Sequence, residues 1–119
     1  MQNRGDLSER LLEFATSSIK LTVRHKRTAV GRYIGNQLLQ AASSSGANYE
    51  EVCGAESKAG FTHNTQLVLK ELRESLYCLK LVERSDLASS KDLQPLLTEA
   101  NELTKIVAKS VITANGGEK

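Results

Sequence analysis

Apolar residues recur every three or four positions through four long stretches of this chain, a spacing that fits helices and not strands. The first stretch begins at Asp6, and Glu9 follows three residues later, as in a capping box at a helix N-terminus. Its apolar residues form two neighbouring stripes, one of Leu7, Leu11, Phe14 and Leu21 and one of Leu12, Ala15, Ile19 and Val23. Since a single partner helix needs only one stripe, this helix, which we expect to end near Arg24, carries a surplus apolar surface.

The third and fourth stretches keep the same period. The third, from Ser57 to Glu83, carries Phe61, Val68, Leu69, Leu72, Leu76 and Leu79. The fourth begins at Ser90 or Asp92 and ends at Asn115, with Pro95 close enough to the first turn that its missing amide need not break the helix. No segment alternates apolar and polar residues between turn signals, so the sequence predicts no sheet.

The second stretch is ambiguous from its residues. Helical spacing runs from Thr28 through Leu38 and then meets Ser43, Ser44, Ser45 and Gly46. This cluster is typical of a loop, and glycine costs about 1 kcal/mol in a helix interior relative to alanine. The alternative is a helix that continues to Gly54, with a small-residue face that lets another backbone approach: Ala41, Ala42, Ser45 and Gly46.

Four amphipathic helices with short joints predict an all-α, antiparallel up-down-up-down four-helix bundle. The 119 residues suffice for one domain, which we place at 6–114, with a disordered N-terminus at 1–5 and a frayed tail at 115–119. Apolar runs are much shorter than the roughly 20 residues that cross a bilayer, so we expect no membrane association. Acidic residues interrupt the first segment, which excludes a secretory signal and favours a cytoplasmic location.

The bundle argues against shared chemistry between the cysteines or between the histidines. Cys53 and Cys78 should lie on the order of 30 Å apart along the axis, too far for a disulfide, so both are expected to be reduced. His25 and His63 fall at opposite ends and cannot bind one metal. No nucleotide-binding or nucleophile motif is present, so the sequence predicts no metal, no cofactor and no enzyme.

A polar ridge in the second stretch has two possible interpretations. Ser44, Asn48 and Glu51 lie three and four residues apart and would share a helix face. The structural interpretation is a cluster of interhelical or capping hydrogen bonds. The more remote interpretation is a catalytic site, which would need a concave pocket and a perturbed carboxylate.

The densest charge feature is a run of five basic residues with no acid between Glu13 and Glu50: Lys20, Arg24, Lys26, Arg27 and Arg32. At the joint between two helices such a run can hold phosphate oxygens. It can equally be a solvent-exposed joint whose positive charge stabilises the C-terminal end of the first helix, where the helix dipole is negative. The formal charge of the chain is only +2, and Tyr33 is the single aromatic residue beside the run.

A specific resemblance adds to these patterns. The segment from Gln37 to Phe61, followed by Leu69 to Tyr77, resembles the bacterial four helix bundle protein family, whose members were first noted in intervening sequences of large-subunit ribosomal RNA genes. The characteristic positions matched without a gap are Gln37, Ala41, Ala42, Ser44, Ala47, Asn48, Glu51, Gly54, Ser57, Lys58 and Phe61. In the family this segment is a continuous helix followed by a tight joint, so the resemblance favours the helical alternative for Ser43–Gly46.

The family resemblance also implies a function. The family is related to the accessory variability determinant of diversity-generating retroelements, and members form pentameric rings; five copies of a +2 chain would carry about +10. We therefore expect a non-enzymatic, ring-forming adaptor that binds RNA or DNA through the basic run, with a reverse transcriptase or another protein as a possible partner. The alternative is a structural scaffold that binds only protein through exposed apolar residues.

Overall fold

The computed structural model describes residues 4–25 and 27–114, and within these ranges it contains four α-helices and no strand. They are α1 (Arg4–Arg24), α2 (Ala29–Cys53), α3 (Lys58–Arg84) and α4 (Ser90–Ala114). Each helix packs against the one before it, and α4 closes the bundle against α1. The predicted all-α four-helix bundle is confirmed, in a body of 46 × 23 × 21 Å.

Side-chain caps fix three of the helix starts. The Thr28 hydroxyl accepts a hydrogen bond from the Gly31 amide at 2.9 Å, and the Ser57 hydroxyl accepts one from Gly60 at 3.0 Å. The Ser89 hydroxyl accepts a hydrogen bond from the Asp92 amide at 3.2 Å, just before α4. These bonds satisfy amides that a helix cannot pair internally.

The chain termini differ from expectation at one point. Helix α1 begins at Arg4, so residues 4 and 5, which we predicted to be disordered, are helical. The rest of that predicted N-terminus, residues 1–3, and the predicted frayed tail at 115–119 lie outside the described residues.

Helix α2 runs without interruption through Ser43–Gly46, so the helical alternative is correct and the loop interpretation is wrong. Ala42 and Ser45 are fully buried, and the Ser45 hydroxyl donates to the Ala42 carbonyl at 2.8 Å, which leaves no unpaired polar group there. A β-carbon built on Gly46 would lie 3.8 Å from the β-carbon of Leu11. Small residues therefore let α1 approach the backbone of α2.

The core fills the centre of the bundle with leucine from every helix. Its fully buried large residues include Phe14, Leu11, Leu38, Leu72, Leu79, Leu93 and Leu103. The α1–α4 seam is additionally closed by Arg10, whose guanidinium donates to the Glu99 carboxylate at 2.9 and 2.7 Å and to Glu102 at 3.2 Å. The hydrogen bond to Glu99 raises the pKa of Arg10 above its usual value, so this cation stays charged.

This connectivity separates the residues that could have shared chemistry. Cys53 ends α2 at one end of the bundle, while Cys78 is buried far along α3, and both thiols are free. His25 follows α1 at the end opposite His63, which lies in the second turn of α3. Across the described part of the chain, no group of three or more His, Cys, Asp or Glu residues is arranged to hold a metal ion. None of the helices there has the length and apolar character to span a membrane.

Candidate nucleic-acid interface

The α1–α2 joint and the α3–α4 joint lie at the same end of the bundle, because consecutive helices run antiparallel. This end carries cations from both joints, and we call it the basic tip. Its described cations are Lys20, Arg24, Arg27, Arg32, Arg84 and Lys91, all exposed. Sequence reasoning missed Arg84 and Lys91. The signal that could have found them is the connectivity itself, which brings the third joint beside the first.

Two grooves join the predicted basic residues to the second joint. Lys20 and Arg24 line a groove of about 350 Å³ between α1 and α4, together with Lys91 and three carboxylates: Glu13, Asp92 and Glu99. Arg24 and Arg27 line another of about 390 Å³, together with Asp86. Arg32 is exposed early in α2, and Lys26 lies outside the described residues.

The basic tip also contains carboxylates, chiefly Asp92. One Asp92 oxygen lies 3.7 Å from a guanidinium nitrogen of Arg24, and the other lies 3.8 Å from Nε2 of His25. Glu83 is engaged elsewhere, since its carboxylate accepts a hydrogen bond from Gln94 at 3.0 Å. Asp92 therefore offsets part of the Arg24 charge, and the basic tip is cationic by a smaller margin than the basic run alone suggests.

Asp86 owes its place to the end of α3. Its φ is 55°, in the left-handed region that glycine or asparagine usually occupies after a helix. The Asp86 amide donates to the Glu83 carbonyl at 3.2 Å and the Leu87 amide to the Val82 carbonyl at 3.1 Å, the two bonds of a Schellman motif. The strained residue thus turns the chain sharply toward α4 and leaves a carboxylate beside Arg27.

Comparison with known proteins identifies the family. The model of the 23S rRNA-intervening sequence protein family matches residues 6–109, nearly the whole bundle. The chain belongs to this family. A crystal structure of a protein of unknown function from the S23 ribosomal protein family of Bacteroides thetaiotaomicron VPI-5482 is similar, with a TM-score of 0.79 and 26% identity over 88% of this chain and 97% of that one. No curated protein matches the chain.

The intervening sequence protein family was predicted from the segment Gln37–Phe61, and several of its characteristic residues lie between α2 and α3. The Asn48 amide donates to the Glu71 carboxylate at 2.8 Å, a bond between α2 and α3. Gln37 and Ser44 line a groove of about 800 Å³ between the same helices. Glu51 is exposed, and Phe61 is half-buried against the core. The Asn48 contact favours the structural interpretation of the Ser44, Asn48 and Glu51 ridge.

The groove between α2 and α3 also contains Cys78. Burial raises the pKa of the Cys78 thiol, and the nearby negative charge of Glu74 raises it further. A raised pKa keeps the sulfur protonated near neutral pH, where only the thiolate is a strong nucleophile. Cys78 therefore packs as a small apolar residue in this family member.

One face of α1 has no partner among the residues that the structure describes. Leu12, Ile19 and Val23 are exposed by 60%, 42% and 56%, and we call them the α1 outer stripe. Ala15, which the sequence grouped with them, is buried. The surplus apolar surface expected from the sequence is therefore present, reduced to three residues.

Proposed function

We propose that this protein binds RNA or another nucleic acid through the basic tip, without catalysis, as a ring-forming adaptor. The observation that carries the proposal is the convergence of six described cations from two joints, against three carboxylates, at one end of a small domain: Lys20, Arg24, Arg27, Arg32, Arg84 and Lys91 against Glu83, Asp86 and Asp92.

The basic tip suits the successive phosphates of a nucleic-acid chain better than a single small anion. Its six cations are exposed, and four of them lie along two grooves rather than around one closed pocket, so they can contact different phosphates of a polymer. Arginine supplies four of the six, and its planar guanidinium binds phosphate oxygens in a bidentate manner. Membership of a family named for ribosomal RNA intervening sequences supports RNA as the partner.

Assembly into a homo-oligomer, with a pentamer as the expected ring, is the second part of the proposal. The α1 outer stripe supports it, because an exposed row of large aliphatic residues on one helix is stabilised by burial against another surface. The same stripe also favours the alternative of a scaffold that binds only protein, including a reverse transcriptase. The two readings differ in whether the protein has affinity for nucleic acid at physiological salt.

The test is a fluorescence anisotropy titration with labelled RNA at several salt concentrations. For the double variant Arg24→Ala/Arg27→Ala, we expect weaker binding and a salt slope smaller by about 1.4 to 1.8, since each phosphate contact contributes about 0.7 to 0.9. The matched control is Lys105→Ala/Lys109→Ala, which removes two exposed cations of α4 farther from the basic tip and should change the slope little. A flat salt response of the unmodified protein, or equal effects of the two pairs, contradicts the proposal.

Assembly is tested separately by light scattering on a sizing column. Ile19→Lys places a charge in the middle of the α1 outer stripe and should shift the protein to a lower mass while its helical circular dichroism is retained. Lys20→Ile, which alters the neighbouring exposed position in the opposite sense, should leave the mass unchanged. A monomeric unmodified protein contradicts the assembly part of the proposal and leaves the nucleic-acid part standing.

A further inference from the structure

The outward face of α3 carries a row of cations with a tyrosine among them. Lys70, Arg73, Tyr77, Lys80 and Arg84 follow one another at spacings of three and four residues, and all five are exposed. These spacings place them on one face of the helix. We call this row the α3 basic stripe. It extends over about 21 Å, at 1.5 Å per residue, and ends at Arg84 in the basic tip.

Two carboxylates of the same helix, Glu71 and Glu74, line the groove between α2 and α3 beside Lys70, Arg73 and Tyr77. Glu71 accepts the hydrogen bond from Asn48 and so points to α2, and Glu83 is bonded to Gln94 of α4. Glu74 is exposed and has no such bond to a neighbouring helix among the described residues. Two of the three carboxylates, Glu71 and Glu83, are therefore bonded to neighbouring helices, and only Glu74 offsets the charge of the α3 basic stripe directly.

A second exposed tyrosine lies across the adjoining groove. Tyr33 of α2 and Tyr77 of α3 are exposed by 66% and 65%, and both line the groove of about 800 Å³ between the two helices. The other aromatic residues are Phe14, Tyr49 and Phe61, of which Phe14 and Tyr49 are buried and Phe61 is half-buried against the core. The amides of Gln37 and Gln40 line the groove as well. Flat rings, amides and neighbouring cations are the side chains that hold unpaired bases.

We propose that the α3 basic stripe and this groove bind single-stranded RNA, with phosphates on the four cations and bases stacked on Tyr77 and Tyr33. Duplex RNA fits less well, because its base faces are already stacked and cannot reach the two rings. The inference rests on the proposed nucleic-acid binding, but it does not require the basic tip to be the main contact. Tyr77 adds a second exposed ring to Tyr33, which is the aromatic residue beside the basic run.

Tyrosine fluorescence reports this stacking directly. The protein has three tyrosines and no tryptophan, so its tyrosine emission is not masked. Titration with a single-stranded oligouridine RNA should quench the emission of Tyr33 and Tyr77, leaving the buried Tyr49 as an unquenched remainder. An RNA duplex of the same length should quench much less. Equal quenching by the two RNAs, or none by the single strand, overturns the proposal.

Substitutions distinguish the contribution of base stacking to RNA binding from the contribution of charge. Tyr77→Leu should weaken binding of the single strand on the order of tenfold in anisotropy, whereas Tyr77→Phe, which keeps the ring, should bind as the unmodified protein does. Arg73→Ala/Lys80→Ala should weaken binding and reduce the salt slope by about 1.4 for a single strand. Circular dichroism verifies that each variant is folded. An unchanged affinity of Tyr77→Leu overturns the stacking proposal.

The same titrations distinguish this proposal from the one on the basic tip. Loss of binding in Arg24→Ala/Arg27→Ala with no effect of Tyr77→Leu refutes the α3 surface and supports the basic tip. Loss in Tyr77→Leu with no effect of the arginine pair supports the α3 surface and refutes the basic tip. An unmodified protein that binds neither RNA refutes both.

Discussion

Removing the carboxylate of Asp92 should strengthen binding of nucleic acid at the basic tip. The Asp92 carboxylate oxygens lie 3.7 Å from a guanidinium nitrogen of Arg24 and 3.8 Å from Nε2 of His25. The carboxylate therefore competes with a phosphate for the positive charge of Arg24. Asp92→Asn removes one negative charge that opposes the phosphates, and we take this as equivalent to about one further phosphate contact at the basic tip. With a slope of about 0.7 to 0.9 per contact, one contact is worth about a five- to eightfold gain in affinity near 0.1 M salt.

The cost of this substitution is small. Asp92 lies in the first turn of α4, where a negative charge favours the helix dipole by about 0.3 to 1 kcal/mol. Its ion pair with Arg24 is more than half exposed on the arginine side, so the pair itself adds little. We therefore expect Asp92→Asn to remain folded, with a slightly lower melting temperature and a steeper salt dependence of RNA binding in anisotropy.

Two further variants make the result decisive. Asp86→Asn removes a second carboxylate of the basic tip and should also raise affinity, but without loss of stability, since asparagine tolerates the φ of 55°. Glu56→Gln makes the same change of charge in the α2–α3 joint, at the opposite end, and should have little effect. If Glu56→Gln raises affinity as much as Asp92→Asn, net charge alone governs binding and the reasoning on the basic tip fails.

Two other predictions concern the thiols and the α1–α4 seam. At neutral pH a thiol reagent should label the half-buried Cys53 quickly and Cys78 slowly, because burial raises the pKa of Cys78 and its labelling requires local opening; equal rates by mass spectrometry contradict this. Arg10→Gln should lower the free energy of unfolding by about 0.5 to 1.5 kcal/mol in urea denaturation at low salt, and by less at high salt, because the lost contacts to Glu99 and Glu102 are part-exposed charge pairs.

Local patterns determined much of this fold. The period of α3 from Leu69 to Leu79 and the cap at Ser57 were readable because each depends on residues within one or two turns. The continuity of α2 through Gly46 could not be predicted in this way, because serine and glycine favour loops locally. The reason for a small residue there is the contact with Leu11 of α1, which is distant in the sequence. The resemblance to a family resolved that point where the residues left it open.

The candidate surfaces depend on contacts between residues that are far apart in the sequence, so the sequence predicted only part of each surface. Arg24 and Asp92 are far apart in the sequence, and nothing near either one predicts their pairing. Likewise nothing near Glu71 in the sequence predicts that its carboxylate accepts a hydrogen bond from Asn48 of α2. Charge composition gives the number of cations, whereas the partners of the carboxylates decide where a positive surface remains.

The close approach of α1 and α2 gives a last prediction that is independent of function. Gly35 and Gly46 both lie inside α2, and replacing either with alanine gains about 0.5 to 1 kcal/mol of helix propensity. At Gly46 the new β-carbon would lie 3.8 Å from Leu11, an ordinary contact, so Gly46→Ala should raise the free energy of unfolding. At Gly35 it would lie 2.8 Å from the methyl group of Thr22, which is too close.

Thr22 cannot easily move aside. It is β-branched, and its hydroxyl donates to the Ser18 carbonyl at 2.9 Å, which fixes its rotamer. Overpacking of this kind costs about 1 to 3 kcal/mol, more than the propensity gain, so Gly35→Ala should destabilise the protein in thermal and urea unfolding at a fixed protein concentration. Thr22→Ser removes the methyl group and keeps the hydroxyl, and in that background Gly35→Ala should be neutral or stabilising. If Gly35→Ala stabilises the unmodified protein as much as Gly46→Ala does, the two helices are farther apart than described.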